Sequence, residues 1–306
     1  TPSTKHRNKH VQIRTVPALL LISIFLISCS PSEEAPATGR LDVVCTTGMI
    51  ADAARIIGGE HVEVTGLCGP GVDPHLYQAT RADQKRLNNA DLVLYHGVHL
   101  EGKMGDLLAR IAKSPGKERH ISAVAEVIDK KELIRNELFG DYPDPHLWFD
   151  LQMWKLCSAE VGKALQKADP ANAASYGAAT EAYLAKIEET HLWALARIKE
   201  LPAEKRKVVT SHDAYNYFAR AYGFEVKGLQ GISTVTKPGL QNIRAAVKYI
   251  RENGLSVIFA ETSVPRAAVE KVAEEASCLI YEHELYSDAL GKPGSQAESF
   301  LGMFRF

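Results

Sequence analysis

SYGAATEAYLAKIEETHLWALARIKEL, residues 175–201, is the longest helical pattern in the chain, and it separates two segments of a different rhythm. Asp169-Pro170 opens it, Pro202 stops it, and Tyr176, Tyr183, Ile187, Ala194, Ile198 and Leu201 fall on one stripe. At 1.5 Å of rise per residue, one helix here would run about 40 Å, roughly the height of a two-lobed protein, and would act as a stiff backbone rather than a hinge. The alternative is two helices broken near His191 and Trp193, which would give a more mobile link.

On the N-terminal side of this stretch, strand patterns at 41–45, 62–67 and 91–95 alternate with helical ones at 50–57 and 81–88. The rhythm returns on the other side, with strands at 207–210, 225–229 and 256–260, a strand-like run at 278–281, and helices at 213–221, 240–251 and 267–276. Such alternation predicts an α/β fold of two lobes, each a parallel four-stranded-type sheet flanked by helices, joined by the one long rigid helix. The expected boundaries are an N-terminal lobe at 41–171, the connecting helix at 172–201 and a C-terminal lobe at 202–306. A chain of 306 residues that is 45% hydrophobic can bury one or two cores, and its length favours two lobes.

The front of the chain reads as a targeting segment. Lys5, Arg7, Lys9 and Arg14 precede an apolar run at 16–27 that is too short to span a bilayer, followed by Leu26-Ile27-Ser28-Cys29. Leucine, a small residue and cysteine resemble a bacterial lipobox. Residues 1–28 are therefore expected to be a lipoprotein signal peptide, Cys29 the lipidated residue, and 29–40 a flexible leader rich in Pro, Ser, Glu and Ala. Loss of 1–28 removes those four cations and no acid, so 36 Lys and Arg against 37 Asp and Glu become a net charge of −5, which excludes a nucleic-acid binder. With Cys29 set aside, Cys45, Cys68, Cys157 and Cys278 form no CxxC pair. Cys45 and Cys68 lie on neighbouring strands, where buried thiols or a bridge both fit.

Asp-Pro-His-Leu occurs twice, at 73–76 and 144–147. Proline fixes its own φ and pushes the preceding residue out of the helical region, so His75 and His146 each sit on a stiff corner suited to a metal ligand. His212, in Ser211-His212-Asp213-Ala214-Tyr215, follows a strand directly, at the rim where open α/β sheets bind ligands. Asp288, in Leu285-Tyr286-Ser287-Asp288-Ala289-Leu290-Gly291, follows the strand-like run at 278–281. Two candidates in each half place the site between the lobes.

These four motifs, with Gly69-Pro70-Gly71-Val72 leading into the first, resemble the TroA-like zinc/manganese solute-binding lipoproteins of bacterial ABC importers, over residues 41–304. By position, the resemblance puts the family's four metal ligands on His75, His146, His212 and Asp288. It implies two α/β lobes joined by a rigid helix, a buried ion between them, and delivery to a permease driven by an ATPase. It further implies a monomer held by its lipid on the periplasmic or cell-surface side of the cytoplasmic membrane. One departure from the family pattern is that this sequence stops at Gly302-Met303-Phe304-Arg305-Phe306, where relatives usually continue into a final helix.

Three imidazoles and a carboxylate suit Zn²⁺, which accepts nitrogen and oxygen in a tetrahedron. Mn²⁺ prefers more oxygen, and a bidentate Asp288 would supply one more contact. In the family, manganese-directed members tend to carry a carboxylate at the third position, where this chain has His212; many zinc-directed ones carry a His-rich loop near the second, which 129–141 lacks. Zinc is the favoured ion and manganese the second. Four protein ligands leave no place for an attacking water, so the site is expected to bind rather than catalyse; a metal-dependent hydrolase would need one of the four off the metal. A surface adhesin is the other alternative. Glu261, Asp73 and Asp144 are the carboxylates placed to accept the distal N–H of the imidazoles, with turn or helix capping as the competing role. Tyr77, Trp148 and Tyr215 are expected to wall the ion off from water. His61, His96, His99, His120, His191 and His283 read as structural or surface residues.

Overall fold

Alternation along the first strands decides which way each residue faces. In the computed structural model, which describes residues 39–113, 120–135 and 142–306, β1 (Leu41–Cys45) puts Val43 and Cys45 into one apolar cluster and Val44 into another. β3 (Leu92–Tyr95) does the same with Leu92 and Leu94 against Val93. Between them β2 (Val62–Gly66), and after them β4 (His120–Ala123), complete a parallel sheet in the order β2-β1-β3-β4. The central strand β3 (LVLY) is covered on both faces, which is why it reads as an unbroken apolar run, whereas β2 (VEVTG) and β4 (HISA) at the edges are only partly buried. The signal peptide, Cys29 and the leader up to residue 38 lie outside the described residues, as do 136–141 of the stretch that lacks histidine.

The helices of this half are set by local chemistry. Thr47 caps α1 (Gly48–Gly58), and Thr80 with Asp83 forms a capping box on α2 (Arg81–Asn89). α3 (Gly105–Lys113) buries Leu108 and Ile111 beside α2. Asp150 caps α4 (Leu151–Ala168), accepting from the backbone N–H groups of Gln152 and Met153. The long helix α5 (Ala173–Lys199) is continuous through His191 and Trp193, so the one-helix reading holds. Its buried stripe is Tyr176, Thr180, Tyr183, Ile187, Thr190 and Ala194, and it packs along α1 and α4. At about 1.5 Å per residue it is a strut of about 40 Å.

Beyond it, β5 (Lys207–His212), α6 (Asn216–Tyr222), β6 (Glu225–Gln230), α7 (Leu240–Glu252), β7 (Val257–Ile258), α8 (Ala267–Ala276) and β8 (Leu279–Ile280) restore the alternation. The strands come as two parallel pairs, β5-β6 and β7-β8, which meet where Phe259 N–H donates to Val209 O at 2.9 Å. A smaller core of Val209, Leu229, Ile250, Ile258 and Val272 lies between these strands and α7 and α8. The final helix α9 (Phe300–Arg305) returns to the first half, inserting Phe300 and Met303 into the cluster that holds α1 and α5. Fully buried Trp148, Trp154, Tyr183 and Phe300 each contribute about 1.5–3 kcal/mol of burial to this shared core. Residues 39–306 accordingly make one compact unit. No helix among the described residues is long and apolar enough to cross a membrane, and Cys45, Cys68, Cys157 and Cys278 are free thiols.

Candidate metal centre

His75, His146, His212 and Asp288 converge, with one donor atom from each inside a set spanning no more than 4.8 Å, and all four side chains are buried. His75 stands on the corner after β2, where Asp73 Oδ1 accepts its backbone N–H at 2.8 Å. His146 stands on the second corner, just before the turn that leads into α4, with Asp144 Oδ1 accepting its backbone N–H at 2.9 Å. His212 ends β5, and its backbone N–H donates to Glu261 Oε1 at 2.9 Å. β6 crosses so close behind it that a Cβ on Gly228 would lie 2.5 Å from the His212 carbonyl carbon, so only glycine fits there. Asp288 lies on the loop after β8, with the Ser263 hydroxyl donating to its Oδ2 at 3.4 Å.

The outer face of two rings is fixed by carboxylates. His146 Nδ1 donates to Asp144 Oδ1 at 2.7 Å, and His212 Nδ1 donates to Glu261 Oε2 at 2.5 Å. Because a carboxylate only accepts, these bonds settle the tautomer and turn both Nε2 atoms inward. Glu261 and Asp144 thus each accept a ring N–H and a backbone N–H from the same histidine. Asp73 does not follow the pattern: it binds the His75 backbone and the Thr234 hydroxyl instead of the ring.

Inside, His146 Nε2 is 3.3 Å from His75 Nε2 and 3.2 Å from His212 Nε2. Asp288 Oδ1 lies 3.4 Å from His146 Nε2 and Oδ2 lies 3.3 Å from His212 Nε2. A tetrahedral shell with bonds of about 2.0–2.1 Å has edges of about 3.3–3.4 Å. These four separations are of that size, but they involve both Asp288 oxygens, and the donor set as a whole lies only within 4.8 Å, so the donors cluster at metal-binding distance without completing one regular tetrahedron. Asp288 Oδ1 is buried without a hydrogen-bond partner. A buried carboxylate oxygen that makes no hydrogen bond and faces only imidazole nitrogens is stabilised by positive charge in the same space, a proton on a ring or a cation.

Electrostatics agree with the geometry. Burial opposes the charged form of His146, but Asp144 and Asp288 outweigh it and hold the imidazole up at about 9. His212 is treated the same way: burial is overcome by Glu261 and Asp288, and its affinity for a proton rises well above the ordinary range. His75 lacks such a carboxylate on its ring, and burial, only partly offset by Asp288, pushes it down to about 3. Burial would raise Asp288, yet the imidazoles of His212 and His146 hold it well below the usual carboxylate range. The pocket is thus built to hold positive charge, through protons on two rings or through an ion in their place.

Trp148 does wall the site, edge-on to His146 at 5.2 Å between ring centres, and its indole N–H also donates to Ser287 O at 2.9 Å, pinning the residue before Asp288. Tyr215 packs on Phe149 and donates to Tyr286 O at 3.3 Å. Tyr77 departs from expectation: it donates to Asp83 Oδ2 at 2.8 Å and packs with the outer face of the sheet. His96 is buried edge-on against Trp148, and His283 is exposed beside Tyr281. Sequence reading missed the hydroxyls of Ser263 and Thr234 and the amide of Asn216, whose only signal is spatial.

Residues 43–306 match the family model for the periplasmic zinc-uptake complex component A, ZnuA. The chain is 40% identical over 293 residues to the manganese-binding lipoprotein MntA of Bacillus subtilis, covering 94% of each. It is 39% identical over 276 residues to the zinc-binding protein TroA of Treponema pallidum, covering 89% of this chain and 88% of that one. The solved structure of the Treponema protein matches with a TM-score of 0.83 at 38% identity, over 87% of this chain and 96% of that one. The metal ABC transporter substrate-binding lipoprotein FimA of Streptococcus parasanguinis is 29% identical over 298 residues, 96% of each.

Proposed function

Because the chain belongs to the family of periplasmic zinc-uptake components, we propose that His75, His146, His212 and Asp288 are the ligands of its transported ion and that zinc is the ion held most tightly. The protein is a metal-binding, substrate-binding component of an ABC metal transporter. The observation that carries the ligand assignment is the convergence of four buried side chains, each offering a donor atom within 4.8 Å of the others. The names of the relatives divide between manganese and zinc, so the preference is argued from the donors. Three nitrogens and one carboxylate favour zinc, and manganese is bound when Asp288 offers both oxygens.

Asp144 and Glu261 hold the rings of His146 and His212, while Asp73 anchors the His75 backbone. With the ion bound, Asp288, Asp144 and Glu261 oppose its two positive charges in a buried space. Four protein ligands leave no open position for an activated water, which is the argument for a carrier that performs no hydrolysis. We take 41–171 and 202–306 as two lobes on the α5 strut, and a monomer tethered through Cys29 after loss of 1–28. The partners are a permease and its ATPase, to which the protein hands the ion on the outer side of the cytoplasmic membrane.

Competition titrations with zinc and manganese across pH test this reading. His146, raised to about 9, and His212, also raised well above the ordinary range, each hold a proton at neutral pH that the ion must displace, while His75 at about 3 holds none. Affinity therefore rises with pH and falls as pH drops, by roughly a hundredfold per pH unit between about pH 7.5 and pH 5.5 when two protons are released. A flat profile contradicts imidazole ligation, and manganese binding tighter than zinc contradicts the metal preference.

A further inference from the structure

The two Asp-Pro-His-Leu corners share a bonding pattern that reaches past the ion site. In the first, Asp73 Oδ1 accepts the His75 backbone N–H at 2.8 Å while Oδ2 accepts the Thr234 hydroxyl at 2.5 Å. In the second, Asp144 Oδ1 accepts the backbone and ring N–H of His146, at 2.9 and 2.7 Å, while Oδ2 accepts an Asn216 amide N–H at 2.9 Å. Thr234 belongs to the loop between β6 and α7, and Asn216 begins α6; both lie beyond the connecting helix. Each aspartate thus holds its own histidine with one oxygen and the other half of the molecule with the second.

We propose that Thr234 and Asn216 are positioning residues that couple contact between the two halves to the placement of His75 and His146, so that losing either tie speeds release of the ion. The proposal rests on the metal-site reading above. A carboxylate bonded through both oxygens cannot rotate, and the proline next to it transmits that rigidity to the histidine. Remove the donor from the other half, and the carboxylate turns and the corner loses its second anchor. The two ties differ in leverage. Asp144 also grips the His146 ring, whereas Asp73 acts on His75 through the backbone alone, so the Thr234 bond matters more. Thr234 is buried at 8% exposure, but Val235 beside it is 52% exposed, so the loop accommodates an isosteric change.

The experiment loads the protein, Thr234→Val, Thr234→Ser and Asn216→Ala with zinc and follows release into excess EDTA by stopped flow, alongside metal-free melting temperatures. Thr234→Val removes a charge-assisted bond and releases zinc roughly tenfold faster or more, Asn216→Ala falls between it and the parent, and Thr234→Ser stays within about twofold of the parent. A parental rate in Thr234→Val, or Ser behaving like Val, overturns the proposal. So does a lowered metal-free melting temperature with an unmoved release rate, the signature of a bond that serves only the fold. Failure of the parent protein to take up zinc overturns the metal-site reading itself.

Discussion

Asp288→Ala is expected to weaken zinc binding by roughly a hundred to a thousandfold. Apparent binding energies of about 10–16 kcal/mol at four-ligand zinc sites amount to about 2.5–4 kcal/mol per ligand. Asp288 is the ligand whose loss costs most, because it is the one negative charge inside the donor set, and its Oδ1 has no other partner. Without it, three neutral imidazoles face a divalent ion, and only Asp144 and Glu261, one bond further out, oppose the charge. Glu261→Gln is the graded comparison: it keeps a hydrogen-bonding side chain behind His212 but removes the carboxylate, and costs about ten to a hundredfold. Competition titration against a chromogenic chelator measures both. Equal affinity in Asp288→Ala and the parent protein would mean that the ion is held elsewhere.

Zinc is expected to raise the melting temperature of the protein on the order of 5–10 °C when its free concentration is about a hundredfold above Kd. A ligand bound only to the folded state then adds about 2.7 kcal/mol, and a domain of this size gains about 2–4 °C per kcal/mol. The ion acts on the whole molecule because its ligands come from both sides of α5: His75 and His146 before it, His212 and Asp288 after it. It replaces protons on His146 and His212 and binds in the space between the imidazole nitrogens and Asp288. Differential scanning fluorimetry with and without zinc reads the shift. His75→Ala should abolish most of it, and a full shift in that variant would remove His75 from the site.

The three candidate histidine ligands were legible because each is announced by its own neighbours. Two are carried on Pro-fixed corners that repeat Asp-Pro-His-Leu, and His212 closes a strand at the rim where parallel sheets place ligands. The carboxylates behind the rings were legible for the same reason in the case of Asp144, two residues from His146. Glu261 was found from its place at the end of a strand beside β5. Asp73, equally close to its histidine, turned toward Thr234 instead, a choice made by a loop 161 residues away. Tyr77 misled because adjacency along an irregular corner does not set facing: it points into the outer apolar cluster with Leu87. α4 escaped the periodicity because Leu151, Met153, Trp154, Cys157, Val161 and Leu165 are buried around much of its circumference, between the sheet and α5, and leave no clean stripe. The second sheet was expected as four strands. β7 carries only two paired residues, so its link to β5 is a single backbone bond that no sequence pattern encodes.

One ion is expected among His75, His146, His212 and Asp288, and anomalous diffraction from crystals of the zinc-loaded protein, recorded on either side of the zinc absorption edge, locates it. The account predicts a single strong peak about 2.0–2.2 Å from the Nε2 atoms of His75, His146 and His212 and from an Asp288 carboxylate oxygen. A peak bonded to other residues, or these four groups apart from any peak, would contradict it.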